Sequence, residues 1–249
     1  MTMFGGVLLY LGLLGAAAGL TSLLKPMRFL GVRTRKKGLL VSGLGFVAFA
    51  VGVYLPATET RVETPRMRLD EFAPAFQFSE FHRVSIDASK DRVYRAIRTV
   101  TPDEIRFYKT LTWMRRFGKP TAGGIFNPPG RRPILDTFIP GAFVLLADDP
   151  GREIVFGRAG GGAGKKLWAA RDFAAFHPAP YVKIVANFRI EDVDAAHCTL
   201  TTETRIYAAG SQALHGFAAY WRMIYPGSSL IRRERLRTIQ RRPRAEARR

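Results

Sequence analysis

The chain has 249 residues, is 47% hydrophobic and has a formal net charge of +19, from 39 Lys and Arg against 20 Asp and Glu. Its only cysteine, Cys198, excludes an internal disulfide and any metal site built from several cysteines. Charge is unevenly placed: no Asp, Glu, Lys or Arg precedes Lys25, and none falls between Lys37 and Glu59, so the average composition conceals stretches suited to two different solvents.

The first uncharged run, Met3 to Leu24, reaches about 33 Å as a helix at roughly 1.5 Å per residue, enough to cross a bilayer. The second, Gly38 to Leu55, reaches about 27 Å, near the lower limit for a crossing. Both are rich in small residues (Gly12, Gly15, Ala16, Gly19; Gly43, Gly45, Ala48, Gly52), which lets two helices approach closely as a hairpin. A secretory signal peptide is the rival reading of the first run, because Ala16-Ala17-Ala18 offers a small-residue cleavage pattern. That run, however, is long and lacks a basic leader. Residues 1–55 are therefore expected to form a transmembrane helical hairpin. The loop between the spans holds Lys25, Arg28, Arg33, Arg35, Lys36 and Lys37 and no acid, a bias that keeps such a loop cytoplasmic and puts the following domain on the periplasmic or extracellular side.

Pro56 to Ala75 is polar, contains three Pro and reads as a linker. Phe78 to Ile86 alternates like a strand, and Ser89 then opens a short helix over Lys90 to Thr99 with Val93, Ala96 and Ile97 on one face. Thr101-Pro102-Asp103-Glu104 has the form of a capping box with Pro in the first turn. It predicts a helix carrying Ile105, Tyr108, Leu111, Thr112 and Met114 and closed near Gly118. The Gly/Pro-rich stretch 121–132 reads as a loop. Strands are expected at Ile134–Ile139, Ala142–Ala147, Glu153–Arg158, Leu167–Phe176, Tyr181–Ile190 and Cys198–Ala208, with Asp148-Asp149-Pro150-Gly151 as a hairpin turn. Their short spacing implies an antiparallel sheet. From Ser211 to about Gln240 an amphipathic helix shows Leu214, Phe217, Ala218, Trp221 and Tyr225 on one stripe, with a kink or break expected at Pro226-Gly227. Residues 241–249 form a basic tail. From Ile231 onward nine Arg stand against two Glu, a charge for which lipid headgroups are the nearer partner and nucleic acid is not expected, unless the end is simply solvated.

This order, together with Phe78-Ser-Glu-Phe-His82, Thr101-Pro-Asp-Glu-Ile105, Thr202-Glu-Thr-Arg-Ile206 and Tyr220-Trp-Arg-Met-Ile-Tyr-Pro-Gly-Ser-Ser-Leu-Ile-Arg232, resembles the START-like polyketide cyclase/dehydrase (SRPBCC) superfamily over residues 76–240. The hairpin text Pro26 to Arg35 looks like an anchor found with similar bacterial proteins of unassigned role. The resemblance implies an α+β helix-grip fold, in which a curved antiparallel sheet wraps the long C-terminal helix and encloses an apolar cavity for lipids or other hydrophobic ligands. It also implies a bacterial inner membrane as the location. It implies no particular reaction.

Candidate sites follow from the residues. Ala159 to Lys166 comes near a phosphate-binding loop but puts Lys166 where the magnesium-binding hydroxyl belongs, so a flexible loop at a cavity mouth is the better reading. His82, His177, His197 and His215 form no metal-style pair, and neither a metal nor another cofactor is expected. Alternation puts Glu80 and His82 on the apolar face of their strand. Burying them without partners is costly, so a cluster of Glu80, His82, Glu203, Arg205 and Arg222 is expected. It would be either a structural salt-bridge network or the polar end of a ligand cavity, with Glu80 and His82 as the acid/base candidates if there is a reaction. Leu214, Phe217, Trp221 and Tyr225 would line the apolar part, with Glu203, Arg205 and Arg222 at the headgroup. The expectation is a membrane-tethered binding module for a lipid or other small hydrophobic molecule. The alternatives are a cyclase-like or hydrolytic enzyme using the same cavity and a non-catalytic envelope scaffold.

Overall fold

The computed structural model describes residues 2–27, 31–115, 130–160, 170–173 and 181–246. They divide into two compact units: Met1–Thr58 with Leu214–Tyr225, and Glu59–Ala213 with Pro226–Arg249.

In the first unit, α1 (Thr2–Leu24) and α2 (Arg35–Tyr54) are uncharged apart from the first turn of α2. Both are long and apolar enough to cross a membrane by length and composition. The Thr34 hydroxyl caps α2 by accepting from the Lys37 N–H at 3.3 Å. The two helices lie antiparallel and meet backbone to backbone. A Cβ added to Gly12 would sit 2.3 Å from the Phe49 nitrogen, and one added to Gly45 would sit 2.3 Å from that of Ala16. Gly19 meets Ser42 and Gly52 meets Leu9 in the same way, so four of the expected small residues are required by the packing, while Gly43 faces open space. The outward side chains are apolar: Leu11, Leu14, Leu40, Leu44, Phe46 and Val47 are all more than half exposed.

The second unit is α+β and carries the helix-grip arrangement: a five-stranded antiparallel sheet in the order β3-β7-β6-β5-β4 with a long C-terminal helix packed on one face. The strands are β3 (Phe78–Ile86), β4 (Val144–Asp149), β5 (Glu153–Gly160), β6 (Tyr181–Asp192) and β7 (Cys198–Ala209), and the helix is α8 (Ser211–Glu246). The β4–β5 turn is the expected Asp-Asp-Pro-Gly hairpin, with Gly151 at φ +72°. On the inner face, Ile86, Ile154, Phe156, Phe188 and Leu200 pack with Leu236 and Ile239 of α8 and with Val93, Ala96 and Ile97 of α4 (Lys90–Thr99). Alternate residues supply a second core on the other face, where Val155, Val185 and Phe173 meet Leu69. Phe173 closes α7 (Ala170–Phe173), and Leu69 belongs to α3 (Arg68–Phe72).

Several expectations change. The segment 56–75 is not a free tether from Glu59 onward: β1 (Thr60–Arg61) pairs with β2 (Ala75–Phe76), and α3 between them buries Leu69 and Asp70. The capping box at Thr101 is present, with the Thr101 N–H donating to Glu104 Oε2 at 2.8 Å. It opens only a 3-10 turn over Pro102–Glu104, and Phe107 at φ +61° breaks the chain before α5 (Tyr108–Arg115), so one expected helix becomes two pieces. Gly118 and the loop 121–129 lie outside the described residues. Ile134–Ile139 is not a strand but the start of α6 (Ile134–Gly141): Ile134, Leu135, Phe138 and Ile139 recur at helical spacing and face the inner core. The only described part of the expected strand Leu167–Phe176 is the short helix α7. Pro226 does not end α8, which runs continuously to Glu246 and takes in much of the expected tail. Arg242 there bonds Glu104 at 2.7 Å, and the Arg92 guanidinium donates to the Pro243 carbonyl at 2.6 Å.

Candidate functional site

Strand pairing decides which polar side chains meet. Glu80 lies opposite Thr204 and His82 opposite Thr202, so all four project onto the inner face. The part of α8 packed there presents Ser228, Ser229, Arg232 and Arg235 at helical spacing on one stripe. His82 Nε2 is 2.8 Å from Glu80 Oε1, Arg232 Nε lies 2.9 Å from Glu80 Oε2, and the Ser228 hydroxyl donates to that same oxygen at 3.2 Å. Arg232 Nη1 also donates to Thr204 Oγ1 at 2.6 Å. The Glu80 side chain is fully enclosed. Burial, the largest single influence, pushes its carboxyl up, but the His82 hydrogen bond, the Arg232 charge and the Ser228 hydroxyl together outweigh it and hold the group below its ordinary range.

Beside this carboxylate lies Arg235, whose guanidinium sits 4.5 Å above the Phe188 ring centroid. Burial, reinforced by the Arg232 charge, pulls it down to about 9 despite the opposing influence of Tyr108 and Glu80. Its buried Nε has no hydrogen-bond partner among the described residues.

A catalytic reading of this cluster meets a geometric obstacle. Ser229 Oγ is 3.5 Å from His82 Nε2, the same nitrogen that bonds Glu80. A serine–histidine–carboxylate relay needs the hydroxyl and the carboxylate on opposite ring nitrogens. Glu80, held ionised by two basic neighbours, is also ill suited to act as an acid.

Glu203 and Arg205 do not join this cluster. Because Phe81 pairs with Glu203 and Ser79 with Arg205, both point to the opposite face. There Arg205 Nη1 donates to Asp70 Oδ1 at 2.7 Å and to the Ala73 carbonyl at 3.1 Å, and its Nε donates to Glu203 Oε1 at 2.7 Å. Asp70 Oδ2 accepts from the backbone N–H groups of Arg66 at 2.7 Å and Met67 at 3.1 Å. Burial raises the Asp70 carboxyl, but the Arg66 amide, Arg205 and the Met67 amide lower it by more, so it stays below its ordinary range. Glu153 bonds the Leu69 N–H at 3.1 Å and Asn187 Nδ2 at 2.8 Å. This second network fastens α3 to the sheet. Alongside it runs an open polar groove of about 640 Å³ in which Arg66, Arg68, Arg152 and Arg189 alternate with acids such as Glu71 and Asp149.

Arg222 is in neither network; it belongs to the first unit, as do Leu214, Phe217, Trp221 and Tyr225. The rings of Phe217 and Trp221 stack at 6.0 Å, and Trp221 meets Tyr225 edge-on at 5.8 Å. The helix surface that covers the sheet is the later one, with Leu236 and Ile239. The expected single cluster is thus three separate places, because strand register and the helix's division between units were not legible in spacing. Ser228, Ser229, Arg232 and Arg235 were missed, although three of them, Ser228, Arg232 and Arg235, sit at i, i+4 and i+7, a polar stripe within an amphipathic helix. Among the described residues no group of three or more His, Cys, Asp or Glu is placed to hold a metal.

No family model matches the chain, and no curated protein matches it. Among solved structures it is similar to the di-domain aromatase/cyclase BexL of the BE-7585A biosynthetic pathway, at 15% identity and TM-score 0.30 over 67% of this chain and 46% of that one. The chain therefore spans less than half the length of BexL. It is also similar to the ZhuI aromatase/cyclase from Streptomyces sp. R1128, at 17% identity and TM-score 0.28 over 68% of this chain and 97% of that one. CalU16 from Micromonospora echinospora is similar at 16% identity and TM-score 0.26 over 76% of this chain and 94% of that one.

Proposed function

We propose that the protein is a membrane-tethered binding module that holds a lipid or other hydrophobic molecule between its sheet and C-terminal helix, with the ligand's polar end at Arg235. The observation that carries this reading is the Arg235 guanidinium: it is buried against the Phe188 ring yet has an Nε without a partner among the described residues. Such a group is costly to bury and would be replaced at little loss by an apolar side chain if packing were its only task. A carbonyl, carboxylate or phosphate oxygen of a ligand would complete it.

In this reading α1 and α2 cross the bacterial inner membrane. Their outward leucines, valines and phenylalanines suit lipid, and the basic loop between them stays in the cytoplasm, with the α+β unit outside it. Tethering raises the effective concentration of a membrane-derived ligand. Native mass spectrometry of the full chain, extracted gently from membranes, tests the proposal. A co-purifying hydrophobic molecule is expected in the wild type and is lost in Arg235→Met, with the melting temperature of that variant reported alongside. Repeated recovery of empty wild-type protein overturns it.

A further inference from the structure

The first four or so turns of α8 differ in composition from the rest of it. Ser211 to Tyr225 contains one formally charged residue, Arg222, whereas Arg232, Arg233, Glu234, Arg235 and Arg237 follow closely beyond Pro226. The one charge is hidden. Arg222 is 1% exposed, and its Nη1 and Nη2 donate to the Val53 and Leu55 carbonyls, each at 2.6 Å. These are carbonyls at the C-terminal end of α2, which the helix itself cannot satisfy. Opposite, Gly5 of α1 leaves the space: a Cβ there would come within 2.8 Å of Arg222 Nε. The Tyr10 hydroxyl donates to the Met223 carbonyl, a second bond between α1 and this stretch.

The remaining side chains complete the pattern. Phe217, Tyr220, Trp221 and Tyr225 form a ladder of rings, with Phe217 and Tyr220 at 5.7 Å; Trp221 is its buried member, and Met223 is 42% exposed. Tyr and Trp concentrate where an apolar medium meets water. Leu214–Tyr225, the part of this stretch that belongs to the first unit, reaches only about 18 Å as a helix and cannot cross a hydrocarbon core of roughly 30 Å. Antiparallel packing places the start of α1 and the end of α2, where Arg222 is bonded, at the same end of the hairpin.

We propose that Leu214–Tyr225 is a third membrane-contacting segment, lying in the headgroup region of the bilayer and bolted by Arg222 to the end of the hairpin. It rests on the membrane reading above. Its partner is the lipid surface itself, and because the segment offers no exposed charge, contact does not depend on anionic lipid.

The test uses the full chain reconstituted in phosphatidylcholine vesicles, with nitroxide labels placed singly by Met223→Cys, Leu44→Cys or Val193→Cys. Cys198 is buried, and unmutated protein carried through the labelling serves as the control. Collision rates with oxygen, which partitions into lipid, and with a water-soluble nickel chelate are compared. Met223→Cys is expected to favour oxygen as Leu44→Cys does, and Val193→Cys, on a residue 68% exposed, to favour the chelate. Adding Arg222→Met should shift the Met223→Cys ratio toward the chelate. If Leu44→Cys favours oxygen while Met223→Cys matches Val193→Cys, this inference fails alone. If Leu44→Cys itself favours the chelate, the membrane reading fails with it.

Discussion

Replacing Glu80 by Gln keeps the shape of the buried side chain and removes its charge. In the wild type that carboxylate faces His82 at 2.8 Å and Arg232 at 2.9 Å and receives the Ser228 hydroxyl at 3.2 Å, with Arg235 close by. Removing one member of a buried ion pair costs roughly 3–5 kcal/mol, because the remaining charge is left uncompensated. Two features reduce that figure here: the Arg232 side chain is 17% exposed, and it keeps its bond to Thr204. A loss of about 2–4 kcal/mol is expected, which for a chain of this size lowers Tm by roughly 4–16 °C. The measurement is thermal unfolding of full-length protein in detergent micelles by circular dichroism. It has a pH signature as well. The folded carboxyl lies below its ordinary range, so its stabilisation is present above the unfolded-state pKa and is lost as pH falls through the folded one. Glu80→Gln should therefore unfold with a weaker acid dependence than the wild type. An unchanged Tm together with an unchanged acid limb would refute the claim that Glu80 holds sheet and helix together by charge.

Two further outcomes follow from packing. Gly45→Val puts side-chain carbon where the Ala16 backbone already stands, so α1 and α2 must separate, and the denaturation midpoint of the hairpin in a dodecyl sulfate titration should fall. Cys198 is buried in the inner core, and burial, aided by the Asp192 charge, pushes its thiol up to about 11. A maleimide reagent at neutral pH should therefore leave the folded protein unmodified and label it fully in denaturant, as read by intact mass.

The α+β unit also shows why some elements were readable and others not. β3, β6 and β7 alternate in polarity or consist of long β-favouring runs, and their period is local. Ile134–Ile139 has the same apolar, β-branched composition, yet it turns as a helix because Ile134, Leu135, Phe138 and Ile139 all find one core from helical positions. Propensity there yields to burial. The break at Phe107 had no signal, since a positive φ at a bulky residue is imposed by the surroundings.

Composition alone settled that residues 1–55 hold two long apolar helices, because neither length nor absence of charge depends on what packs where. It also settled that Glu80 and His82 share a face, since that follows from the two-residue period of one strand. What they meet was decided only in three dimensions. Register sent Glu203 and Arg205 to the far side of the sheet, where Arg205 meets Asp70, and docking of α8 supplied Ser228, Arg232 and Arg235. Arg222 was left to the carbonyls of α2. Those pairings span between 135 and 169 positions of chain, and no local pattern encodes a partner at such a separation.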